Sequence, residues 1–420
     1  MASGKPNDIE LLAPAGNFES LMAAIQGGAD AVYFGVGKLN MRAGSSKNFS
    51  ISDLEEVRRI CNLHGIRAYV TLNTVMYNED LDYAKEIIDA VHESSIDAIV
   101  ASDFSIISYA QSLGVKVHIS TQANVSNIES LKFFASFADV VVLARELSLD
   151  QVKVLCQQVD EQNITNPDGQ KVRIEAFAHG ALCMAISGKC YLSLHEKNKS
   201  ANRGECNQLC RRGYIVTEKD DGYQLDIDNE YIMSPKDLST ISFIDQLLDA
   251  GVQVFKIEGR GRPPEYVKTT TSCYREAIDS WENGSFSRNQ IEGWETRLKS
   301  VFNRGFWEGY YMGKKSGEWS DKYGSSATKR KVYVGKGMNY FPKIGVAEFL
   351  LETRSLQVGD EILITGPTTG VIETTVKEIR VDLKPVEQTV KGDRFSIPLD
   401  TMIRRSDKLF KIVSSDHDVV

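Results

Sequence analysis

Four of the seven cysteines in this 420-residue chain fall within a window of 28 residues. They are Cys183, Cys190, Cys206 and Cys210, and four thiolates can hold either a tetrahedral zinc ion or a four-iron cluster. Zinc sites usually draw their ligands from tight two-residue knuckles, which this spacing lacks, whereas wider spacing with intervening glycines suits a loop around a larger group. The pattern predicts a metal or cluster site and favours iron–sulfur over zinc. Four unrelated cysteines are the weaker alternative.

The N-terminal segment and the length of the apolar stretches indicate the cellular compartment in which this site would work. Met1 to Glu10 contains no apolar core of a signal peptide, and no run approaches 18 apolar residues. We therefore expect neither a classical signal peptide nor a membrane span. The sequence predicts a protein of the reducing cytoplasm, where clustered thiols bind metal or do redox chemistry more often than they form disulfides.

The charge is unevenly distributed. A net charge of −8, from 49 basic and 57 acidic residues, excludes a uniformly basic coat for nucleic acid but not a local basic patch. Within the cysteine segment (Cys183–Tyr214), the stretch from Ser187 to Tyr214 carries six Lys or Arg residues against two Glu residues, a local charge of +4. A second basic stretch, with no acid between residues 325 and 345, contains Lys329, Arg330, Lys331, Lys336 and Lys343. Each stretch is either a solvated surface or a contact for phosphates, as an enzyme of nucleic acid needs.

Eight short apolar runs recur along the first 260 residues. The runs are Ile9–Ala13, Ala31–Phe34, Ala68–Leu72, Ala98–Ala101, Val115–Ile119, Val140–Leu143, Val172–Phe177 and Val252–Ile257. They are too short and too apolar for amphipathic helices, so we predict buried parallel strands. Helix-length stretches lie between them, with capping residues such as Asn17 and Ser148 at their starts. Eight strands that alternate with helices predict an α/β fold, a (β/α)8 TIM-like barrel, with a doubly wound sheet as the alternative.

About 75 residues separate the seventh and eighth runs, and the four cysteines lie in this gap. In a barrel, the loops that follow the strands build the active site. We therefore predict a barrel domain over residues 1–325, with a helical extension and a cysteine-rich insertion after strand 7, at about residues 180–235. Residues 326–420 are predicted to form a small antiparallel β-barrel, with strands at Val346–Leu351, Glu361–Thr365 and Glu373–Val381.

Polar side chains cluster at the ends of the predicted barrel strands and together predict a pocket for a small anionic molecule. The candidate catalytic residues are Glu175, His179, Glu258 and Arg260. The candidate substrate-binding residues are Asn17, Asn73, Gln122, Asn124 and Arg145. Arg145 or Arg260 is the expected clamp for a carboxylate. Each residue taken singly, Asp103 and Glu146 included, could instead be a satisfied polar cap, and His118 is expected to point into the barrel.

The motifs of common hydrolases are missing. The stretch that begins with His195 and Glu196 starts like a zincin helix but lacks the second histidine. No G-x-S-x-G elbow and no Walker A sequence occurs. A protease mechanism therefore has no recognisable nucleophile or metal base in this sequence.

Two adjoining stretches carry a specific resemblance to a known family. Glu175–Cys183 (EAFAHGALC) and Ser187–Ser193 (SGKCYLS) resemble the signature of the peptidase U32 family, also called the collagenase-like proteases. Supporting matches run the length of the chain, at Glu10–Asn17, Ser120–Asn124, Asn202–Cys206, Ser234–Leu238 and Lys256–Arg260. On these motifs the chain is identified as a member of that family.

Family membership alone does not settle the reaction. Better understood members look like iron–sulfur proteins that hydroxylate RNA or ubiquinone precursors, and this chain's length and C-terminal β-barrel are most similar to the tRNA hydroxylation subgroup. That resemblance implies prephenate-dependent hydroxylation of the wobble uridine of tRNA to 5-hydroxyuridine, with a 4Fe–4S cluster on the four cysteines. It also implies that the C-terminal domain, which resembles the second domains of translation factors, holds the anticodon arm together with the cysteine segment.

Two other interpretations stay open. The older name of the family implies a peptidase that degrades collagen. The chain could also be a non-catalytic partner of a second U32-family subunit, because some members of the family act as pairs.

Overall fold

The computed structural model describes residues 9–44, 47–217, 219–220, 222, 224–225, 231, 233–313 and 317–415. Eight parallel strands at its centre overlap the eight predicted apolar runs. These strands are β1 (Glu10–Pro14), β2 (Ala31–Gly35), β3 (Arg67–Leu72), β4 (Ala98–Ala101), β5 (Val117–Ile119), β6 (Val140–Val142), β7 (Arg173–Ala181) and β11 (Val254–Ile257).

The eight strands close into a barrel. Strands β1 to β7 pair in chain order, and β11 pairs with both β1 and β7. Leu12 lies opposite Lys256 on one side of β11, and Glu175 lies opposite Val254 on the other. The predicted TIM-like barrel is confirmed, and the closing pair rules out the open doubly wound sheet.

Helices form the outer layer of the barrel. Those between the first seven strands are α1 (Phe18–Gln26), α2 (Leu54–His64), α3 (Leu81–Glu93), α4 (Phe104–Ser112), α5 (Ile128–Ala135) and α6 (Leu149–Glu161). Asn17 begins α1 by accepting a hydrogen bond from the Ser20 amide at 2.8 Å, and Asp103 begins α4 by accepting one from Ser105 at 2.9 Å. In the described part of the chain, every helix is too short or too polar to cross a lipid bilayer.

The barrel strands are buried on both faces, which explains their nearly continuous apolar sequence. Outward-facing side chains join the helices in one large apolar core. Inside the barrel, Leu12, Val100 and Val254 belong to a smaller apolar cluster. The amino-terminal end of the interior is charged instead, since the fully buried Glu10 is held by Arg173 at 2.8 Å.

Strand β7 continues past the barrel and carries the cysteine segment beyond it. Gly180 and Ala181 pair antiparallel with β10 (Asp237–Ser239), which pairs in turn with β12 (Phe306–Trp307). The other elements near this gap are α7 (Leu192–Lys197), the hairpin of β8 (Val216–Thr217) and β9 (Gln224–Leu225), and α8 (Ile244–Asp249). The cysteine segment thus follows the seventh barrel strand, as predicted. Residues 218, 221, 223, 226–230 and 232 of the predicted insertion lie outside the described residues.

Two helices and an antiparallel sheet follow the barrel. The helices are α9 (Pro264–Glu282) and α10 (Arg288–Ser300). The remaining strands are β13 (Lys329–Phe341), β14 (Val346–Leu351), β15 (Leu356–Gln357), β16 (Glu361–Gly366), β17 (Gly370–Thr375), β18 (Ile379–Val381), β19 (Lys384–Val386), β20 (Gln388–Thr389), β21 (Arg394–Pro398) and β22 (Lys408–Ser414). Eight of them pair antiparallel in the order β17-β16-β22-β13-β14-β21-β18-β19. Ile372 of β17 and Ile379 of β18 share one core, so the sheet wraps around it.

One predicted strand of this sheet is wrong. Residues Glu373–Val381 form the end of β17 and all of β18, not a single strand. The break falls at the buried Val376, whose amide donates to the Asp360 carbonyl while its carbonyl accepts from the Gly359 amide. These bonds extend the pairing with the segment before β16 by one residue, and the chain then leaves it before β18 begins at Ile379.

The sheet docks on the barrel through α1 and α9. The side chain of Gln26 donates to the Thr369 carbonyl at 2.9 Å and accepts from the Val371 amide at 2.8 Å. On α9, the carboxylate of Glu265 lies 2.8 Å from the ammonium of Lys331, which belongs to β13. The contact therefore uses directed polar bonds that fix the sheet against two barrel helices.

We predict that Gly370→Ala loosens this contact. Gly370 has φ +67°, and a Cβ there would lie 2.5 Å from Oε1 of Gln26. The left-handed backbone costs about 1 kcal/mol for alanine, and displacement of Gln26 from its two bonds adds about 1 kcal/mol more. Gly345→Ala is the matched control, because it has φ +61° but its nearest neighbouring atom is 3.8 Å away. Equal losses of unfolding free energy for the two variants, measured by urea denaturation, would contradict the prediction.

Candidate functional site

A cavity of about 470 Å³ opens at the carboxyl end of the barrel, between the strand ends and the cysteine segment. Its walls include residues that follow β2, β3, β5, β6, β7 and β11, where a TIM-like barrel places its active site. Its polar lining includes Arg42, Asn73, Gln122, Arg145, Arg211, Lys256, Glu258, Arg260, Arg262 and Arg304. One cavity therefore joins the barrel mouth to the cysteine segment.

All four cysteines of the segment line this cavity, and every cysteine of the chain is a free thiol. Burial raises the pKa of Cys210 to about 11; Arg211 opposes the rise, and Cys183, Cys206 and Cys190 add to it. These mutual effects place the four sulfurs within electrostatic reach of one another. Among the described residues, no group of three or more His, Cys, Asp or Glu side chains is arranged to hold a metal ion. The chemistry of the four free thiols suits a thiolate-bound group, although their side chains are not drawn together as a ligand set.

Arg211 is a buried cation beside these thiols. Its guanidinium donates to the carbonyls of Leu182, at 2.5 Å, and Pro235, and to Oγ of Ser234 at 3.3 Å. Burial lowers the pKa of Arg211 to about 10, so it stays charged at neutral pH. A fixed positive charge here favours thiolates and a group that carries negative charge.

Glu258 is the one carboxylate among the described residues that line the cavity. Arg42 lies 2.7 Å from its Oε1, and the Tyr33 hydroxyl donates to its Oε2 at 3.2 Å. Burial alone would raise the pKa of Glu258, but the charges of Arg42 and Arg260 outweigh burial and lower the pKa to about 2. Glu258 is therefore an anion at neutral pH. It is suited to neutralising and orienting guanidiniums rather than to proton transfer.

Two guanidiniums of the cavity keep unused donors. Arg260 is buried and donates from one nitrogen to Thr71 at 2.8 Å and to Asn40 at 3.1 Å. Arg145 donates to Oγ of Ser187 at 2.7 Å and lies over the ring of Phe177. Nε of each is buried without a hydrogen-bond partner, and neither forms an ion pair with a described carboxylate. Both residues also line the cavity, where their remaining N–H groups can donate to an anionic ligand, as the expected carboxylate clamp requires.

Lys256 extends the positive charge down into the barrel. It lines the cavity, and its ammonium lies 2.8 Å from Oε1 of Glu175 and over the ring of Tyr33. Glu175 is fully buried, and burial raises its pKa despite the neighbouring Lys256. Glu175 does not line the cavity, so it positions Lys256 rather than touching a ligand.

The charge of the cavity is strongly positive. Its described lining contains seven Lys or Arg side chains and one carboxylate. Asp237, behind the wall, offsets part of this charge by lying 3.8 Å from Arg262 and 3.4 Å from Arg304. Burying this much like charge is costly unless anions share the space. The cavity is therefore built for negatively charged occupants.

The predicted amides fall into two groups. Asn73 and Gln122 line the cavity, and Asn73 links two strand ends by donating to Oγ of Ser120 at 3.2 Å. Asn124 lies behind the lining, where its side chain donates to the Ser187 carbonyl at 3.2 Å. Asn124 therefore ties the cysteine segment to the loop after β5 and does not face a ligand directly.

Asn17 is a correction to the predicted substrate-binding set. Its side-chain oxygen is used to cap α1, and it is not among the residues that line the cavity. The sequence also indicates Asn17 as the residue that caps the start of α1, and the structure supports this capping role.

His179 is a correction to the predicted catalytic set. It is buried outside the barrel against α9, where Nδ1 lies 3.3 Å from the Tyr274 hydroxyl, and burial lowers its pKa to about 3. Its side chain would share a face with Phe177 in a regular strand. A register shift opposite Ile257 adds one residue to β7 and turns His179 outward. It is a neutral packing residue.

His118, by contrast, points into the barrel as predicted. Its ring packs 4.4 Å from that of Tyr69, and burial lowers its pKa well below the usual range.

Several site residues were missed from the sequence. Tyr33, Arg42 and Lys256 line the cavity, as do Arg211 and Arg304. Lys256 lies in a family motif and Arg211 follows the fourth cysteine, so both positions carried a signal. Arg42 and Arg304 neither end nor directly follow a predicted barrel strand, and only the fold brings them to the mouth.

The second basic stretch, which begins at Lys329, was expected to be either a solvated surface or a contact for phosphates, and three of its lysines are paired with carboxylates. Lys329, Lys331 and Lys336 each lie within 2.8 Å of a glutamate: Glu361, Glu265 and Glu352, respectively. Charges paired in this way offer little to a phosphate. These three pairs link β13 to β16, to the residue that follows β14 and to α9, and the phosphate contact of this stretch stays a prediction.

Comparisons with known proteins agree with the signature motifs. A family model described as peptidase family U32 matches residues 16–321. The chain is similar to a protein named collagenase from Porphyromonas gingivalis strain W83, with 57% identity covering 96% of this chain and 98% of the relative. It is also similar to tRNA hydroxylation protein P1 of Bacillus subtilis strain 168, with 32% identity covering 96% and 94%. A 23S rRNA 5-hydroxycytidine synthase of Escherichia coli strain K12 is 36% identical, covering 67% of this chain and 41% of that protein.

We predict that Glu258→Gln destabilises the fold in a pH-dependent way. The folded-state pKa of Glu258, about 2, lies below its ordinary value of 4.5, so its contribution is complete above pH 4.5 and is lost as the pH falls towards 2. The shift corresponds to about 3 kcal/mol at neutral pH. Urea denaturation between pH 7 and pH 3 should show the gap between wild type and variant shrinking with acidity.

Glu56→Gln is the control for this series, because Glu56 forms an exposed pair with Arg59. Its effect should be small at every pH, because an exposed ion pair contributes little to stability. A Glu258→Gln gap that is absent at pH 7, or that stays constant down to pH 3, would contradict the assigned role of Glu258.

Proposed function

The chain belongs to peptidase family U32, and we propose that it is an iron–sulfur enzyme that hydroxylates the wobble uridine of tRNA to 5-hydroxyuridine with prephenate as co-substrate. The observation that carries the proposal is the single cavity shared by four free thiols and a cationic barrel mouth. Thiolates can hold a redox group on one side, while guanidiniums bind anions on the other.

Cys183, Cys190, Cys206 and Cys210 would hold a 4Fe–4S cluster, with a zinc ion as the alternative. The cluster, when bound, supplies one-electron chemistry beside the barrel mouth. Arg211 contributes a buried positive charge that favours the thiolate ligands. The wide spacing of the four cysteines supports a group larger than one ion.

A small dicarboxylate such as prephenate would occupy the barrel mouth. Arg145 and Arg260 line this mouth without an ion pair to a described carboxylate, and each would donate to a carboxylate of the ligand. Glu258 holds Arg42 in place and keeps the charge of Arg260 in balance. Because the mouth lies between the barrel and the cysteine segment, a bound anion also excludes water from that space.

RNA as the substrate is supported by two observations. Relatives with 32% and 36% identity carry names that refer to tRNA hydroxylation and to an rRNA hydroxycytidine synthase. The cysteine segment places the exposed Lys189, Lys197 and Arg212 around the cavity, where they can contact phosphates. We propose that this segment, more than the paired lysines of β13, receives the anticodon arm, whose loop bases are unpaired and accessible.

A peptidase is the alternative function, favoured by the 57% identical relative named collagenase. The cavity chemistry argues against it. None of its described lining residues is a histidine, and its one carboxylate has a pKa of about 2. Peptide hydrolysis at neutral pH needs a general base or a metal-bound water, and Glu258 is poorly suited to the first role.

Mass spectrometry of tRNA nucleosides tests the proposed function. In a host that lacks this gene and its U32 relatives, wild-type protein should restore wobble 5-hydroxyuridine, and Arg260→Gln should not. The purified protein should leave gelatin intact. Unrestored 5-hydroxyuridine, together with gelatin cleavage that Glu258→Gln abolishes, would establish the peptidase instead.

We further predict that Cys206→Ala removes the visible absorbance of protein purified without oxygen, because it deletes one of four thiolate ligands. Cys273→Ala is the matched control, since Cys273 is buried against α10, outside the cavity. That variant should keep the wild-type spectrum. Absorbance that survives in Cys206→Ala, or that is lost equally in both variants, would show that the ligand set is wrong.

A further inference from the structure

Large apolar side chains stand exposed around the cavity mouth. Tyr191 is 68% exposed and Tyr77 is 52% exposed, and the half-exposed Met184, Ile186 and Val75 lie near them in the chain. Met184 and Ile186 also line the cavity. Contiguous exposed apolar surface on a folded chain usually marks a binding site. We call these five residues the mouth rim.

Asn202 brings the two tyrosines to the same side of the cavity. Its side-chain oxygen accepts from the Cys190 amide at 3.4 Å, one residue before Tyr191. Its backbone carbonyl accepts from the Val75 amide at 3.0 Å, two residues before Tyr77. Asn202 itself lines the cavity, so the segments that carry Tyr77 and Tyr191 are joined at one wall of it.

Tyr77 is held in place by a neighbouring cation. The guanidinium of Arg203 lies 4.0 Å from the centre of its ring and is bonded to the buried Asp80. The Asp80 carboxylate also accepts from the Tyr77 amide at 2.9 Å. Arg203 therefore covers one part of the ring while about half of the residue stays open to solvent. Tyr191, for its part, makes no ring contact with any described residue.

The charge next to the mouth rim suits a polyanion. Lys189, Lys197 and Arg212 are exposed, and none forms an ion pair with a described carboxylate. Exposed aromatic rings interleaved with free cations form the surface that binds single-stranded nucleic acid, because rings stack on bases and cations meet phosphates. An apolar protein partner would not call for these free cations.

We propose that Tyr77 and Tyr191 form a base-stacking platform for unpaired RNA nucleotides next to the residue that enters the cavity. The inference rests on the proposed function, since it names the surface that would present an RNA loop to the site. Stacking on a tyrosine contributes about 1–3 kcal/mol per base. The platform selects unpaired loops, because bases within a duplex cannot reach the rings.

The test measures binding of a tRNA anticodon stem-loop that carries 2-aminopurine in its loop, with a fully paired duplex of equal length as comparison. Wild-type protein should prefer the stem-loop and change the 2-aminopurine fluorescence on binding. Tyr191→Ala should weaken stem-loop binding about 5- to 150-fold. Tyr191→Phe should retain it, because the ring remains. The salt dependence of binding should be the same for both, since no cation is removed.

Phe133→Ala is the control, because Phe133 is 52% exposed on α5 and does not line the cavity. It should bind as wild type does. If wild type binds the stem-loop but Tyr191→Ala and Tyr77→Ala bind it equally well, the platform is wrong while the proposed function stands. If wild type prefers the duplex, or binds neither RNA at low salt, the proposed function fails with it.

Discussion

Buried positive charge at the barrel mouth is the constraint on which the rest of the site depends. Among the described residues, seven cationic side chains and one carboxylate line the cavity, and burial lowers the pKa of both Arg211 and Arg260 to about 10. Such an arrangement is expensive unless anions balance it. Glu258 in the lining, and Glu175 and Asp237 behind it, supply part of the negative charge from the chain. Thiolates from the four cysteines and an anionic substrate would supply the remaining negative charge. The same electrostatic constraint therefore applies to the cofactor, the substrate and the fold.

The barrel provides this charge at fixed positions. Lys256 lies near the end of the last barrel strand, Arg260 follows that strand, and Arg145 follows the sixth. Rigid strands therefore set the spacing of these three cations. The cysteine segment is less regular, and it is held by bonds to neighbouring loops. Asn124 ties it to the loop after β5, and Asn202 ties it to the loop after β3. A segment anchored at its edges can tighten around a group while its outer face stays open to a macromolecule.

Much of this could be predicted from sequence, and the failures have physical causes. Buried parallel strands leave a continuous apolar signal, so all eight runs were found, and crowded thiols marked the cavity wall. Alternation along β7 misplaced His179, because one extra residue in the strand reversed its direction. Local signals could not decide whether Asn17 capped a helix or faced a ligand. Lysines of β13 looked free because their glutamate partners lie on distant elements, and Arg42 reaches the mouth only through the fold.

Quantifying iron and acid-labile sulfide in wild-type protein purified without oxygen decides whether the four cysteines hold a cluster. We expect about four iron and about four sulfide per chain, because four thiolates facing a cationic cavity suit a 4Fe–4S cluster. One zinc per chain without sulfide, or protein free of both metals, would contradict this expectation.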